Sequence, residues 1–228
     1  MELEGKRVIV TGAFGALGGA VAGRLADAGA RIAALDRAEA RDEPRVAFAR
    51  GGVELADEAA ARDAIDAAAT ALGGLDGLVN IAGGFRWETI ADGSLATWES
   101  MFRMNLATAV AASMAAIPHL RANRSGRIVN IGAAAAAKAG SGMGAYTASK
   151  SGVARLTEAL ADELKADAIT VNAVLPSILD TPQNRADMPD ADFAAWVQPA
   201  QLADVIAFLL SDRADAITGA LLPVTGRV

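Results

Sequence analysis

The sequence predicts an α/β fold: a doubly wound, mainly parallel sheet of seven strands with helices on both faces. Three observations predict it. Short β-branched runs alternate with alanine-rich helical stretches from one end of the chain to the other, and strands apolar on both faces belong to parallel sheets covered on both sides. The first strand runs straight into a glycine cluster that opens a helix. No proline- or serine-rich linker and no internal repeat breaks the alternation, and 228 residues suit one large α/β domain better than two.

Taken in order, Arg7–Val10 reads as the first strand and about Ala16–Ala28 as the first helix. Arg31–Leu35 is the second strand, Arg45–Ala49 a weaker third, and Glu58–Leu72 a helix. Gly77–Ile81 is a buried strand followed by a long helix, Thr97–Ala122. Then come strand Arg127–Ile131, helix Ala145–Lys165, strand Ala168–Val174, helix Gln201–Leu210 and the closing strand Ala220–Val224. One long irregular segment remains, Ser177–Pro199. With Pro176 just ahead of it, this stretch accounts for four of the seven prolines. A loop of that length inside a compact domain is usually functional, and it reads as a substrate lid.

Composition narrows the function classes. Hydrophobic residues make up 53% of the chain, enough for a substantial core. With 21 Lys+Arg against 27 Asp+Glu, the net charge of −6 gives no footprint for nucleic acid or anionic lipid. The absence of cysteine excludes disulfides, thiolate metal sites and Cys nucleophiles together. The mean hydropathy of +0.29 comes largely from alanine, and the longest uncharged apolar run, Leu106 to Pro118, is too short to span a bilayer. Met1 to Val10 carries Glu2, Glu4, Lys6 and Arg7 in place of a signal peptide's apolar stretch. The expected location is cytoplasmic, with a small-molecule substrate.

The glycine cluster reads Thr11-Gly12-Ala13-Phe14-Gly15-Ala16-Leu17-Gly18-Gly19. After a strand and before a helix, glycines let the backbone turn tightly against a pyrophosphate while the helix offers free N–H groups and its positive end. The spacing is not the Gly-x-Gly-x-x-Gly of most dinucleotide folds, and a tight strand–helix turn is the alternative. The strand-before, helix-after context points to a Rossmann-type dinucleotide site. Asp36 ends the second strand, where a carboxylate accepts hydrogen bonds from the adenosine ribose diol and repels a 2′-phosphate. Two unit charges about 4 Å apart interact by about 4 kcal/mol at an effective dielectric near 20, which favours NAD(H). Arg37 could pair with that phosphate and leaves NADP(H) open.

Tyr146 is the only tyrosine, and Lys150 follows four residues later, on the same face of a helix. A free phenol titrates near 10, and a cation within about 4–6 Å lowers such a value by about 1–3 units, into the range of a working acid or base.

The segment Ala145-Tyr146-Thr147-Ala148-Ser149-Lys150 resembles the active-site segment of the short-chain dehydrogenase/reductase family, and other pieces of that family's pattern follow in order. The glycine turn is similar to its Thr-Gly-x-x-x-Gly-x-Gly, with Ala16 in place of the middle glycine. Asn105 in Met104-Asn105-Leu106 resembles the helix asparagine of the family's proton relay. Val171-Asn172-Ala173-Val174, Pro176 and Thr181 resemble the strand and threonine beside the nicotinamide, and Thr218-Gly219 the turn before the last strand. The resemblance implies a nicotinamide-dependent oxidoreductase with Tyr146, Lys150 and Asn105 as catalytic residues. It implies Gly12, Phe14, Gly15, Ala16, Leu17, Gly18, Asp36, Arg37, Ala82, Gly83, Pro176 and Thr181 at the cofactor, along with Tyr146 and Lys150. It also implies a homodimer or homotetramer through the two long helices.

Two further positions depart from the family pattern. Members acting on alcohols and ketones carry a serine thirteen residues before the tyrosine; here that position is Ala133. Losing one such donor typically costs about 10²–10³ in rate. Asn80-Ile81-Ala82-Gly83 stands where the family usually has Asn-Asn-Ala-Gly. Both departures, and the lid from Val174 to Trp196, resemble the dihydropteridine reductase branch, whose hydride acceptor is a quinonoid pterin. Phe193 and Trp196 then become candidates for covering a planar substrate. Retained Asn105 belongs to the ketone-reducing pattern, so a 3-oxoacyl-type ketone or alcohol dehydrogenase is the alternative, and a non-catalytic NAD-binding sensor is a third reading. His119, the only histidine, reads as a helix-end structural residue, Trp98 and Phe102 as core packing, and Asp57, Glu58, Arg62, Asp63 and Asp66 as a solvated helix face.

Overall fold

Strand β1, Arg7–Thr11, alternates its side chains to the two faces of the sheet, as the two-residue period of a strand requires. Val8 and Val10 enter one core, Ile9 the other. The computed structural model describes residues 1–41 and 43–228. Around β1 stand β2 (Arg31–Leu35), β3 (Phe48–Arg50), β4 (Gly77–Asn80), β5 (Gly126–Ile131), β6 (Ile169–Pro176) and β7 (Leu221–Val224). They form one sheet in the order β3-β2-β1-β4-β5-β6-β7, with every neighbouring pair parallel.

Parallel neighbours need crossovers, and the alanine-rich stretches supply them. Helices α1 (Ala16–Asp27), α2 (Glu58–Leu72), α3 (Leu95–Phe102), α4 (Thr108–Ala122), α5 (Gly144–Leu164), α6 (Pro182–Asp187) and α7 (Pro199–Leu210) connect the strands. Residues of α1 and α7 join one core; residues of α2, α4 and α5 join the other. The small residues serve close packing: Ala61, Ala64, Ala68 and Ala69 of α2 and Ala111, Ala112, Ala115 and Ala116 of α4 are all buried in that second core. No helix among the described residues is long and apolar enough to cross a membrane.

The stretch expected to be irregular, Ser177–Pro199, contains α6, and two further elements and two side chains differ from the expectation. The third strand is three residues long and lies later, at Phe48–Arg50, since Val46 closes a turn on Glu43 and pairing with β2 begins only at Ala33 and Phe48. The long helix expected over Thr97–Ala122 starts at Leu95, capped by Ser94, and is broken by a π-helical turn, Arg103–Ala107, between α3 and α4. Such turns insert a residue into a helix, frequently at functional sites, and this one carries Asn105. Trp98 and Phe102 are not core residues: both are exposed, as are Leu95 on α3 and Met114 on α4.

Asn80, just ahead of Ile81, ties the sheet to its helices. Its amide donates to Asn130 on the adjacent strand (2.9 Å) and to Ser113 of α4 (3.1 Å), and Asn130 donates to Thr157 of α5 (2.9 Å). A buried, hydrogen-bonded chain of this kind fixes strand and helix registers together. His119 pairs with Asp66 at 2.6 Å, joining α4 to α2 far from the site described below. The order of the strands reverses at β1, with β2 on one side and β4 on the other, and in open α/β sheets ligands bind in the crevice at such a switch point.

Candidate active site

A cleft of about 1200 Å³ opens over the ends of β1, β2 and β4. Its floor is the glycine turn. Gly18 packs against the carbonyl of Gly12 and the Cα of Ala13 so closely that any Cβ would overlap backbone. Gly12, at φ +65°, meets the backbone of Ala82 across the cleft. Thr11 holds this floor to the next strand, its hydroxyl accepting from the N–H groups of Ile81 (3.1 Å) and Ala82 (3.3 Å). Helix α1 begins at Gly15 with no side-chain cap and no acidic residue in its first turn. Its first N–H groups are left for an anion, and the turn therefore fits a pyrophosphate.

Phe14, Gly15, Ala16, Leu17, Asp36, Arg37, Ala82, Gly83 and Thr181 line the same cleft as Gly12 and Gly18. The Asp36 carboxylate is oriented by two backbone donors, the N–H of Phe14 (2.9 Å) and the N–H of Ala38 (3.0 Å). Each oxygen keeps a lone pair for a further donor. Thr181 faces the cleft while its hydroxyl caps α6 by accepting from the N–H of Asn184 (3.2 Å). Pro176 ends β6 and does not line the cleft.

Tyr146 and Lys150 lie on the first turns of α5, with Lys150 buried. The Lys150 ammonium donates to the carbonyl of Ile131 at 2.8 Å. Burial lowers its pKa to about 8, and burial raises the Tyr146 phenol to about 12. The expected lowering of the phenol by the lysine is not seen: desolvation is the cause acting on it. Asn105 acts as a clamp: its Oδ1 accepts from the N–H of Gly84 (2.9 Å) and its Nδ2 donates to Ser149 (3.0 Å), whose hydroxyl in turn donates to the Tyr146 carbonyl (2.7 Å). Asn105 Oδ1 and Lys150 Nζ both approach the open side of Gly83.

Ala133 is buried, only 4% exposed, on extended backbone at φ −157°, ψ 142°. The lid is a pinned structure. Arg185 donates twice to Asp180 (2.5 and 2.8 Å) and Gln198 once (2.7 Å), and these contacts, Arg185 foremost, hold the Asp180 carboxyl at about 2. Phe193 and Trp196 pack on each other at 4.8 Å, with Arg185 against the Phe193 ring. Trp196 is 5% exposed, and neither ring lines the cleft; nor do Asn105, Ala133, Tyr146 or Lys150.

Sequence reasoning passed over Phe85 and Ser149. Phe85 stands 4.9 Å from the Tyr146 ring and nearly perpendicular to it. Its only signal is its position after Gly83-Gly84, whereas Ser149 sits inside the Tyr–Lys segment with no role read from it.

The cleft has a floor that fits a dinucleotide, and Phe85 on its lining touches the half-buried Tyr146. This arrangement suits a nicotinamide-dependent oxidoreductase, and the comparisons agree on that class. The chain belongs to the short-chain dehydrogenase family, whose pattern matches residues 6–192. It is 30% identical to a 3-oxoacyl-(acyl-carrier-protein) reductase of Vibrio cholerae over 99% of this chain and 98% of that one. It is 34% identical to a cis-4-hydroxycyclohexanecarboxylate dehydrogenase of Sinomonas cyclohexanicum over 96% of this chain and 94% of that one. The crystal structure of a carveol dehydrogenase from Mycobacterium avium in complex with NAD superposes with a TM-score of 0.86 at 28% identity, covering 99% of this chain and 98% of the other. The resemblance to the dihydropteridine reductase branch finds no counterpart among these relatives, which are named for 3-oxoacyl or alcohol substrates.

Proposed function

We propose that this chain is an NAD(H)-preferring reductase of a planar, conjugated ring, pterin-like or quinonoid. Ala133 carries the reading. A buried methyl group stands where carbonyl-reducing members of the family have a hydroxyl, and Ser141, downstream of it, is exposed and gives its carbonyl to Trp87. An electron-poor conjugated ring takes up a hydride without a donor fixed on a carbonyl oxygen. The bound nicotinamide would supply that hydride. Tyr146 would release its phenolic proton to the substrate, Lys150 would hold the nicotinamide ribose and steady the phenolate left behind, and Asn105 would keep Gly84 and α5 in register. The test is NADH consumption with a freshly generated quinonoid dihydropterin, corrected for the rate without enzyme. Enzyme-dependent turnover supports the proposal; none, with NADH binding demonstrated, sinks it.

A ketone or alcohol dehydrogenase is the second reading, favoured by relatives at 30% and 34% identity named for a 3-oxoacyl and a hydroxycyclohexane substrate.

The preference for NAD(H) rests on Asp36. Asp36→Ala is expected to shift the ratio of kcat/KM for NADH over NADPH toward NADPH by about tenfold or more, since like charges there repel by up to about 4 kcal/mol. An unchanged ratio would remove Asp36 as the selector. We also propose one domain with the lid at 177–199, working in the cytoplasm as a dimer or tetramer. The exposed Leu95, Trp98, Phe102 and Met114 give α3 and α4 an apolar strip for pairing. Sedimentation velocity is expected to find more than one copy, and a monomer at assay concentration would refute the pairing.

A further inference from the structure

Phe85 lies at the point where the cleft meets Tyr146. It lines the cleft, its ring packs edge-on with the phenol, and 55% of its surface is open. A phenylalanine left open at a reacting centre would be incidental if it sat on a loose loop, but this one is fastened on both sides.

Upstream, the Gly84 N–H donates to Asn105 on the π-helical turn, and Gly84 sits so close to the Met104 sulfur that a Cβ would overlap it. Downstream, Trp87 lays its indole on Gly142, where again a Cβ would overlap the ring, and donates its Nε1–H to the Ser141 carbonyl at 3.0 Å. The Glu88 N–H donates to the Gly142 carbonyl at 2.9 Å, and the Glu88 carboxylate accepts from the N–H of Ser94 at the head of α3 (3.1 Å). Residues 84–88 thus form a strap tied to the Asn105 turn at one end and at the other to the loop leading into α5.

We infer that Phe85 determines substrate specificity, its open face forming the wall against which a flat ring is laid at Tyr146, and that Trp87 is the positioning residue that holds this wall. The inference rests on the planar-ring reading of the function and names the residue that selects the ring. A ring laid flat on Phe85 covers its open face and removes that apolar surface from water; a linear acyl chain covers little of it. At 142 a side chain would collide with the Trp87 indole, and the φ of +73° there itself favours glycine.

The experiment compares wild type, Phe85→Ala, Phe85→Tyr and Trp87→Phe on the quinonoid dihydropterin and on an acetoacetyl thioester. NADH affinity, read by fluorescence, serves as the check of folding. Phe85→Ala is expected to raise KM for the ring about tenfold, with a smaller change in kcat, and to lower ring-over-chain selectivity by a similar factor. Phe85→Tyr should retain the selectivity. Trp87→Phe, which keeps an aromatic ring but lacks the N–H donor, should raise KM for the ring in the same direction by less. Ring selectivity that survives Phe85→Ala, or a loss confined to kcat, overturns the role of Phe85 and leaves the planar-ring function standing. A wild-type enzyme that binds NADH but does not reduce the ring, with or without activity on the thioester, overturns both.

Discussion

Tyr146→Phe is expected to cut kcat about 10²- to 10⁴-fold while NADH still binds, the range by which a positioned general acid contributes. The ring survives the change, so its perpendicular packing with Phe85 at 4.9 Å is kept and only the proton is lost. Tyr146 is the only tyrosine and His119 the only histidine, and His119 is committed to Asp66 on the other side of α4. No second phenol or imidazole can stand in. Turnover within about threefold of wild type would show that the proton comes from elsewhere, since such a change lies far below the range for general acids.

The pH profile follows from the same pair. Burial holds the Tyr146 phenol at about 12, so it stays protonated and ready to donate across the working range. Lys150, lowered to about 8, is the group that titrates there. Below that pH it is an ammonium and can stabilise the phenolate that proton donation leaves behind; above it the charge is gone. The kcat/KM for reduction should therefore be level at lower pH and fall as pH rises through about 8. A profile flat through that region would remove Lys150 from the step.

What could be read from the sequence was whatever depends on neighbours in the chain. The glycine turn from Gly12 to Gly18 and the Tyr146–Lys150 spacing are local: the turn floors the cleft, and the two residues share the first turns of α5. Strand ends shifted by one to three residues, since parallel pairing, not propensity, decides where a strand starts and stops. The π-helical turn at Arg103–Ala107 was invisible because Met, Leu and Ala are ordinary helix formers, and what widens the helix is the fit of Asn105 between Gly84 and Ser149. The strap was invisible for a stronger reason: Trp87 finds its partner at Ser141, 54 residues away, through a carbonyl that any residue would offer. Aromatic residues misled in both directions. Trp98 and Phe102 read as core and are exposed, while Trp196 read as a cover for substrate and is buried. Hydrophobicity says that a side chain seeks cover but does not name the surface that supplies it.

The sharpest division between the two readings of the substrate is Ala133→Ser. Restoring the hydroxyl is expected to raise kcat/KM on simple ketones by about 10²–10³, the amount one such donor contributes. The backbone accepts the change, because Ala133 is extended at φ −157° and ψ 142°, a conformation open to serine. The environment exacts something for it. At 4% exposure the new hydroxyl is removed from water, and without a partner it destabilises the free protein by about 1–3 kcal/mol. A lower Tm in the unliganded variant, partly recovered when a ketone binds, would be the signature of a donor made for a carbonyl and unused without one. If ketone turnover rises by that factor, the methyl group at 133 is what keeps this site from reducing carbonyls, and the substrate is to be sought among conjugated rings. If wild type already reduces ketones briskly and serine adds nothing, another group polarises the carbonyl, the planar-ring reading loses its main support, and the 3-oxoacyl and hydroxycyclohexane relatives become the better guide.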